Sequence, residues 1–326
     1  LNSFGTIFKV SIFGESHGVG VGVIIDGCPP GISLSKEDFI EDLRKRKSGT
    51  LGTTKRIEDD EPEFLSGIFK GKTTGAPITI FFKNKNIKSK DYDEFKNIPR
   101  PGHADFVAMK KYNNFNDYRG SGHFSGRLTL GLVAAGVIAK KIIKPICINA
   151  ILIEVNGNKN IDEEIRRAIK LNDSVGGIVE VIGKNMMNGL GEPFFESVES
   201  KISSIIFSIP GIKGIEFGCG FNCTKMYGSQ VNDAILNENG KTKTNNSGGI
   251  NGGITNGNDL IFRVAVKPTS SISKIQETFN LKTKQMDNLQ IKGRHDTCFA
   301  LRVPVVLEAV TAIAITDFVL IKKGEE

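Results

Sequence analysis

Two apolar stretches set the terms on which this chain can fold. Leu128–Ile143 and Val305–Ile321 carry apolar residues around their whole circumference, so each must be wrapped by protein or by lipid. The first is too short to span a bilayer, and the second carries Glu308 and Asp317 inside its apolar run. Both read as buried core helices. Gly131, Ala134, Ala135, Gly136 and Ala139 line the first, and such small side chains let a neighbour approach closely. Glu308 is costly to bury alone and is expected to meet a cation. Leu1–Val10 lacks the basic start and apolar stretch of a secretory signal, so a soluble protein is expected.

Around these helices, β-rich runs alternate with turns, the pattern of mixed α/β structure. Phe8–Phe13 and Val19–Ile25 read as strands joined by the polar loop Gly14-Glu15-Ser16-His17-Gly18. Ser35 starts a helix, with Asp38 completing a capping box and Gly49 beyond its end. Phe39 and Leu43 share one face of that helix, while Arg46 and Lys47 crowd its last turn. A polar loop from Thr50 precedes the strands Phe64–Phe69 and Ile78–Phe82. The second half repeats the rhythm with strands Cys147–Val155, Gly177–Ile182 and Leu260–Val266. Its amphipathic helix carries Phe194, Val198, Ile202, Ile205 and Ile209 on one stripe. A polar Arg-His-Asp loop feeds the last apolar helix much as Arg100–Arg127 feeds the first. The expectation is a single domain over residues 1–326, built from two α/β halves of about 1–145 and 146–326 related by a pseudo-twofold axis.

The formal net charge of +7 suits either nucleic acid or small polyanions such as phosphate esters. The Lys/Asn-rich run Lys83–Lys90 motivates a basic nucleic-acid-binding protein as the alternative reading. No known binding motif accompanies it, and aromatic residues do not interleave the basic run. Five cysteines, an odd set in a long chain, argue against a disulfide framework and for a reducing compartment, hence a cytoplasmic protein. Cys219 and Cys223 have no second Cys/His pair nearby, so no metal centre is expected.

The chain has four histidines, His17, His103, His123 and His295, and every one sits in a polar loop containing Gly or Arg. Imidazole is the side chain whose proton moves near neutral pH, so this placement points to proton chemistry. Glu15 and Ser16 flank His17 with groups able to orient the ring or relay a proton. Arg100-Pro101-Gly102-His103-Ala104-Asp105 gathers a cation, an imidazole and a carboxylate, and its Pro-Gly turn is expected to hold them outward. Arg119–Arg127 resembles a phosphate cradle, with glycines that free backbone N–H groups, an arginine at either end and a helix start beyond. It fits neither the P-loop nor the dinucleotide fingerprint. Lys267-Pro268-Thr269-Ser270-Ser271 supplies a cation and three hydroxyls at a strand end, and Ser247–Gly253 is a glycine-rich stretch able to lie along a flat cofactor.

Taken in order, Phe13–Gly18, Thr53–Glu58, Leu65–Pro77, Arg100–Phe106, Asp117–Thr129, Gly189–Phe194, Ser208–Gly214, Ser247–Gly253, Lys267–Ser271 and Lys292–Cys298 are similar to the chorismate synthase family across nearly the whole chain. The resemblance implies a β-α-β sandwich in a homotetramer with bound reduced FMN, and NADPH as a candidate reductant for that flavin. It implies the substrate 5-enolpyruvylshikimate 3-phosphate and a 1,4-elimination that yields chorismate and phosphate without net redox change. Neither nucleic acid nor membrane is then a partner. By matched position it implies that His17 protonates the departing phosphate, that His103 serves the N1/C2-carbonyl side of the flavin, and that Asp296 helps take the C6 proton. Ser16 and Ser125 are implied as relay hydroxyls. Cofactor contacts are implied for His123, Phe124, Ser125, Pro210, Gly211, Gly252, Lys267, Pro268, Thr269, Ser270, Ser271 and Arg294. A basic substrate cluster is implied around Arg46 and Arg127, with Lys47 and Arg56 standing in for a cation absent at Leu51-Gly52. His123 and Thr297 also depart from the family pattern.

Overall fold

A computed structural model describes residues 2–54, 58–87, 89–292 and 295–325, with residues 89–91 described in their backbone only. In the first half, strands β1 (Ser3–Phe4), β2 (Lys9–Gly14) and β3 (Gly20–Asp26) precede helix α1 (Ile40–Arg46). Strand β4 (Glu63–Ser66), the small hairpin β5 (Ile68–Phe69) and β6 (Lys72–Thr73), strand β7 (Ile78–Lys83) and helices α2 (Asp105–Lys111) and α3 (Thr129–Ile142) follow. The second half runs β8 (Cys147–Val155), α4 (Ile161–Lys170), β9 (Gly177–Lys184), α5 (Val198–Ile206), β10 (Ile212–Phe217) and α6 (Gly228–Val231). It ends with the hairpin β11 (Ile250–Asn251) and β12 (Ile254–Thr255), strand β13 (Leu260–Val266), the hairpin β14 (Gln276–Asn280) and β15 (Gln285–Leu289), and helix α7 (Val303–Glu325).

Two antiparallel sheets result, one ordered β1-β2-β3-β7-β4 and the other β10-β13-β9-β8. Alternation decides which face each sheet buries: Val21, Val23 and Ile25 on β3 point inward with Ile78, Ile80 and Phe82 on β7. Leu260, Phe262, Val264 and Val266 do the same on β13. Helix α3 covers the first sheet through β2, β3 and β7, helix α7 covers the second through β8 and β9, and the two helices pack on each other. The apolar stretches of the sequence therefore form the middle layer. Although α7 is long and apolar enough to cross a membrane, most of it is buried among these elements.

Acidic groups in that middle layer are all answered. Glu308 meets Lys140 at 2.8 Å, as expected, and Lys140 also pairs with Asp42 at 2.8 Å. Asp317, fully buried on α7, accepts backbone N–H bonds from Thr6 at 2.8 Å, Ile7 at 2.7 Å and Phe8 at 2.9 Å. One carboxylate thus ties the start of β2 to the last helix, satisfying donors that a strand start would otherwise leave open.

Several local expectations are corrected. The capping box at Ser35 exists, with Ser35 N–H donating to Asp38 at 2.8 Å, but it opens a 3₁₀ turn, Lys36–Phe39, before α1. The run Phe64–Phe69 is split by a turn at Gly67 into β4 and β5. Phe194 is off the buried stripe of α5, because it precedes the helix with a positive φ of 66° and is 84% exposed. The segment 100–129, expected as loop, contains α2. Helix α4, strand β10 and the hairpin β14–β15 have no counterpart in the sequence reading.

The closeness of α3 and α7 gives a test with a definite sign. A Cβ added at Gly136 would lie 2.3 Å from the Ala309 Cβ and 2.5 Å from its Cα. On helix propensity alone, Gly136→Ala would stabilise by about 1 kcal/mol. Overpacking outweighs that gain, so Gly136→Ala is expected to lower the urea-unfolding free energy by about 1–3 kcal/mol. A stabilised variant would mean that the two helices are free to move apart.

Candidate active site

Loop ends from both halves converge on one cavity of about 260 Å³. Among the described residues its wall carries six Arg/Lys side chains (Arg46, Lys47, Arg100, Arg127, Lys267, Arg302) against three acids (Glu58, Asp60, Asp296). All three acids are already engaged, Glu58 by the Lys85 N–H at 3.1 Å and the Asn86 N–H at 3.2 Å. Asp60 sits buried between Arg46 at 3.0 Å and Arg127 at 2.8 Å. Asp296 pairs with Arg302 at 3.2 Å and accepts the Thr54 N–H at 2.8 Å. The cavity therefore presents positive charge that its own acids do not cancel, the electrostatics of a polyanion site.

Arg46 ends α1 and is held by more than Asp60. Its carbonyl accepts from Arg302 Nε at 2.9 Å, and Arg127 Nε donates to Asn84 at 2.6 Å. Burial pushes the Arg46 guanidinium down to about 10, with Asp60 opposing that shift, so it stays charged at neutral pH. Burial also acts to raise the Asp60 carboxyl, but the Coulomb pull of Arg46 and Arg127 wins and holds it below the usual carboxylate range.

A second network lies across the cavity. Arg100 grips Asp105 with two short bonds, Nε to Oδ2 and Nη2 to Oδ1, both 2.7 Å. His103 Nδ1 is 2.7 Å from Asp105 Oδ1, and its Nε2 is 3.2 Å from the Ser121 hydroxyl. Arg100 also donates to Ser271 at 3.0 Å and to Ser121 at 3.2 Å, and it lies over the Phe95 ring at 4.4 Å. The Pro101-Gly102 turn thus folds Arg100 and Asp105 inward onto each other, not outward as expected. Burial raises the Asp105 carboxyl, yet its bonds to Arg100 and His103 outweigh burial and hold it well below the usual range. Burial is the main cause that lowers the His103 imidazole, and Asp105 opposes it.

The glycine-rich stretch folds as a run of left-handed residues, Gly120 (φ 57°), Ser121 (φ 69°) and Gly122 (φ 52°). Gly120 is required there, since a Cβ would fall 2.4 Å from His17 and 2.8 Å from the Ser16 hydroxyl. His17 is buried beneath it, edge-on to Tyr92 with ring centroids 5.1 Å apart. His17 is therefore not in the cavity wall, while its neighbours Ser16, Gly120 and Tyr92 are.

Of the predicted residues, Ser16, Arg46, Lys47, His103, Phe124, Ser125, Arg127, Pro210, Gly211, Lys267, Pro268, Thr269, Ser270, Ser271 and Asp296 line this one cavity. His123 does not. It turns away after Gly122, with Nδ1 at 2.9 Å from the Gly14 carbonyl and Nε2 at 3.0 Å from Asn2. Gly252 does not either, because it occupies the tight turn between β11 and β12, beside Gly253, which packs on Ser197. Arg119 was expected in the cradle, yet it folds back on Asp117 at 2.8 Å. Arg56 and Arg294 lie outside the described residues. Asp60, Tyr92, Phe299 and Arg302 were missed as members of the site, while Ser121 lies within the expected cradle. Only Asp60 carried a sequence signal, an acidic run in front of a proline and opposite a basic helix end.

The Thr269 hydroxyl and Arg46 Nε, buried in the wall, have no hydrogen-bond partner among the described residues. Lys267 bonds the Gly102 carbonyl at 2.6 Å and Ser270 at 2.8 Å, and the Phe299 ring lies 3.7 Å from a Cβ placed at Gly211. Cations, an unspent hydroxyl and an aromatic wall together fit a phosphate-bearing flat ligand such as FMN. Two lysines of the basic run behind the nucleic-acid reading are occupied: Lys83 pairs with Glu63 at 2.8 Å and Lys85 with Asp59 at 2.7 Å.

The chain is similar to known proteins along nearly its whole length. A family model described as chorismate synthase matches residues 8–320. A chorismate synthase from Chitinophaga pinensis is 60% identical over 324 residues, covering 99% of this chain and 98% of the relative. Those from Dehalococcoides mccartyi and Thermococcus kodakarensis are 45% and 42% identical, covering 98% and 99% of this chain and 96% and 98% of theirs. A crystal structure of chorismate synthase superposes with a TM-score of 0.75 at 27% identity, covering 98% of this chain and 94% of that one.

The low-lying Asp105 carboxyl fixes a pH dependence. Its stabilising contribution is complete above the unfolded carboxylate value of about 4 and is lost as pH falls below it. Wild type is expected to exceed Asp105→Asn by about 1.5–3 kcal/mol in urea unfolding at pH 7, with the gap narrowing towards pH 3. A gap that is constant with pH would place the stabilisation elsewhere.

Proposed function

The chain belongs to the chorismate synthase family, and from that premise we propose how its own residues divide the work of a phosphate-eliminating lyase. The family converts 5-enolpyruvylshikimate 3-phosphate to chorismate and phosphate with reduced FMN. The observation that carries the assignment of the site is the excess of cations around one cavity, built from loops of both halves. Arg46 and Arg127, locked by Asp60, are pre-set to receive the substrate's anionic groups, and the half-buried Lys47 adds a further charge. Pre-set cations lose little freedom on binding.

Phosphate leaves as an anion that is improved by a proton, and His17 is the group read as its source. Ser16 lies beside His17 and lines the cavity, so it is the natural carrier of that proton to the leaving oxygen. Asp296 is read as the acceptor of the C6 proton; its bonds to Arg302 and Thr54 orient it. His103 is read as a partner for the cofactor's N1/C2-carbonyl side, and Ser125 as a second relay hydroxyl. The Lys267–Ser271 segment, Pro210-Gly211 and Phe124 would hold the cofactor, with Arg294, His123 and Gly252 read as further contacts. Reduced FMN, when bound, supplies electron density to the substrate and recovers it, which a side-chain base cannot do at an unactivated C–H bond. NADPH is the candidate reductant that keeps the flavin in that state.

A homotetramer is the reading that best accounts for Phe195 and Phe221, which are 92% and 79% exposed. The two sheets share one strand order once β1 is set aside, β2-β3-β7-β4 against β8-β9-β13-β10. That shared order supports descent of both halves from one duplicated unit. All five cysteines are unbridged, in keeping with a cytoplasmic setting.

Under anaerobic conditions, FMN reduced by dithionite is expected to support phosphate release from the substrate, and oxidised FMN is not. His17→Ala and His103→Ala should each slow turnover by about a hundredfold or more. Near-native rates in both variants would remove the proton roles, and no turnover with reduced flavin would remove the reading itself.

A further inference from the structure

The side chains of Arg100, Asp105, His103 and Ser121 close a ring of hydrogen bonds in the cavity wall, and its donors and acceptors can be assigned without ambiguity. A guanidinium only donates, and an ionised carboxylate only accepts. Arg100 Nη2 lies 3.1 Å from His103 Nδ1, but its two hydrogens already go to Asp105 Oδ1 at 2.7 Å and Ser121 at 3.2 Å. Asp105 Oδ1, 2.7 Å from Nδ1, therefore accepts a hydrogen bond from Nδ1–H, and the neutral ring is left with a lone pair on Nε2. The Ser121 oxygen, 3.2 Å away, must then donate its hydrogen to Nε2, while it accepts from Arg100 Nη2 at 3.2 Å. One Ser121 lone pair remains, and Ser121 lines the cavity. With His103 neutral, Ser121 can offer the cavity only an acceptor.

Protonation of His103 reverses this. Nε2 becomes a donor, and the Ser121 oxygen accepts from both Nε2 and Arg100. Both lone pairs are then used, and the hydroxyl hydrogen is released towards the cavity. We propose that Ser121 is a positioning residue that turns the cavity wall from hydrogen-bond acceptor to donor when His103 takes up a proton. The inference rests on the reading of this cavity as the reaction site. It explains why a non-glycine residue is kept at φ 69° between two glycines, a conformation that disfavours a side chain and so calls for a compensating bond.

The groups facing His103 are Arg100 and Asp105 from its own turn, Lys267 from the end of β13, and Asp117 and Tyr118 across a small pocket behind the ring. Asp117 is neutralised by Arg119, and Ser121 is the group bonded to Nε2, so its removal changes the environment of Nε2 and frees one Arg100 N–H.

With only four imidazoles in the chain, ¹⁵N-histidine NMR on the full-length protein can follow His103, identified by its loss in His103→Gln. Neutral His103 is expected to carry its proton on Nδ1. Ser121→Ala keeps the Cβ that screens the ring, and Ser121→Gly relaxes the backbone; both remove the hydroxyl. In both, His103 should titrate at lower pH, because the protonated ring loses the acceptor of its charge-assisted Nε2–H bond, a larger loss than that of the neutral ring's donor, and the acid limb of kcat should move with it. The optimum kcat should fall about tenfold with KM changed less than about threefold. Proton on Nε2 in the wild type, an unmoved titration in both variants, or a shift in Ser121→Gly alone (which reports water entry) would each overturn the proposal. So would a shifted titration with an unmoved kcat profile. Wild-type protein inert with reduced FMN would instead sink the functional reading and leave the NMR result standing.

Discussion

One buried carboxylate makes the cationic cavity possible. Asp60 accepts from Arg46 on one oxygen and Arg127 on the other, and without it two guanidiniums would share a desolvated wall. Breaking such a cluster by removing one partner costs about 3–5 kcal/mol, because the remaining charge stays buried and unanswered. The arrangement also crosses the fold, since Arg46 ends α1, Asp60 precedes β4 and Arg127 precedes α3. The same contact that neutralises the wall fixes three connections relative to one another. It leaves the buried Arg46 Nε–H without a partner among the described residues.

Opposite it, the Arg100-Asp105-His103-Ser121 ring holds a titratable group in a defined state, where Asp60 holds permanent charge. The two networks do different jobs at one cavity. Fixed cations suit the parts of a substrate whose charge does not change, and a poised imidazole suits the parts that gain or lose a proton. Both depend on loops held at their roots by the ends of strands and long helices, which is why a polar cavity can persist without secondary structure of its own.

Much of this was legible from residue order. Strands β2, β3, β7 and β13 follow from their alternation, and α3 and α7 from apolar runs too long for strands. The loops that supply the cavity stood out by combining His, Arg and Gly. What residue order did not carry was direction. Nothing local distinguishes Arg127, which enters the cavity, from Arg119, which folds onto Asp117, or His103 from His123. Those outcomes follow from three successive left-handed residues that reverse the chain. The hairpin β14–β15 escaped because its strands are polar and lack alternation. Helix α4 had a readable amphipathic pattern, with Ile161, Ile165 and Ala168 on one face and acids in its first turn.

Helix α7 is made after every strand it covers, yet it occupies the middle layer and reaches back through Asp317 to the amides of Thr6, Ile7 and Phe8. While the ribosome is still reading the earlier codons, the second sheet lacks its apolar cover and α3 lacks the helix it packs on. A nascent chain of this design cannot complete its core domain-first from the amino end, as many multi-part proteins do. Closure waits for the final apolar segment to emerge, so the interval before its release is when the chain most needs shielding from its neighbours.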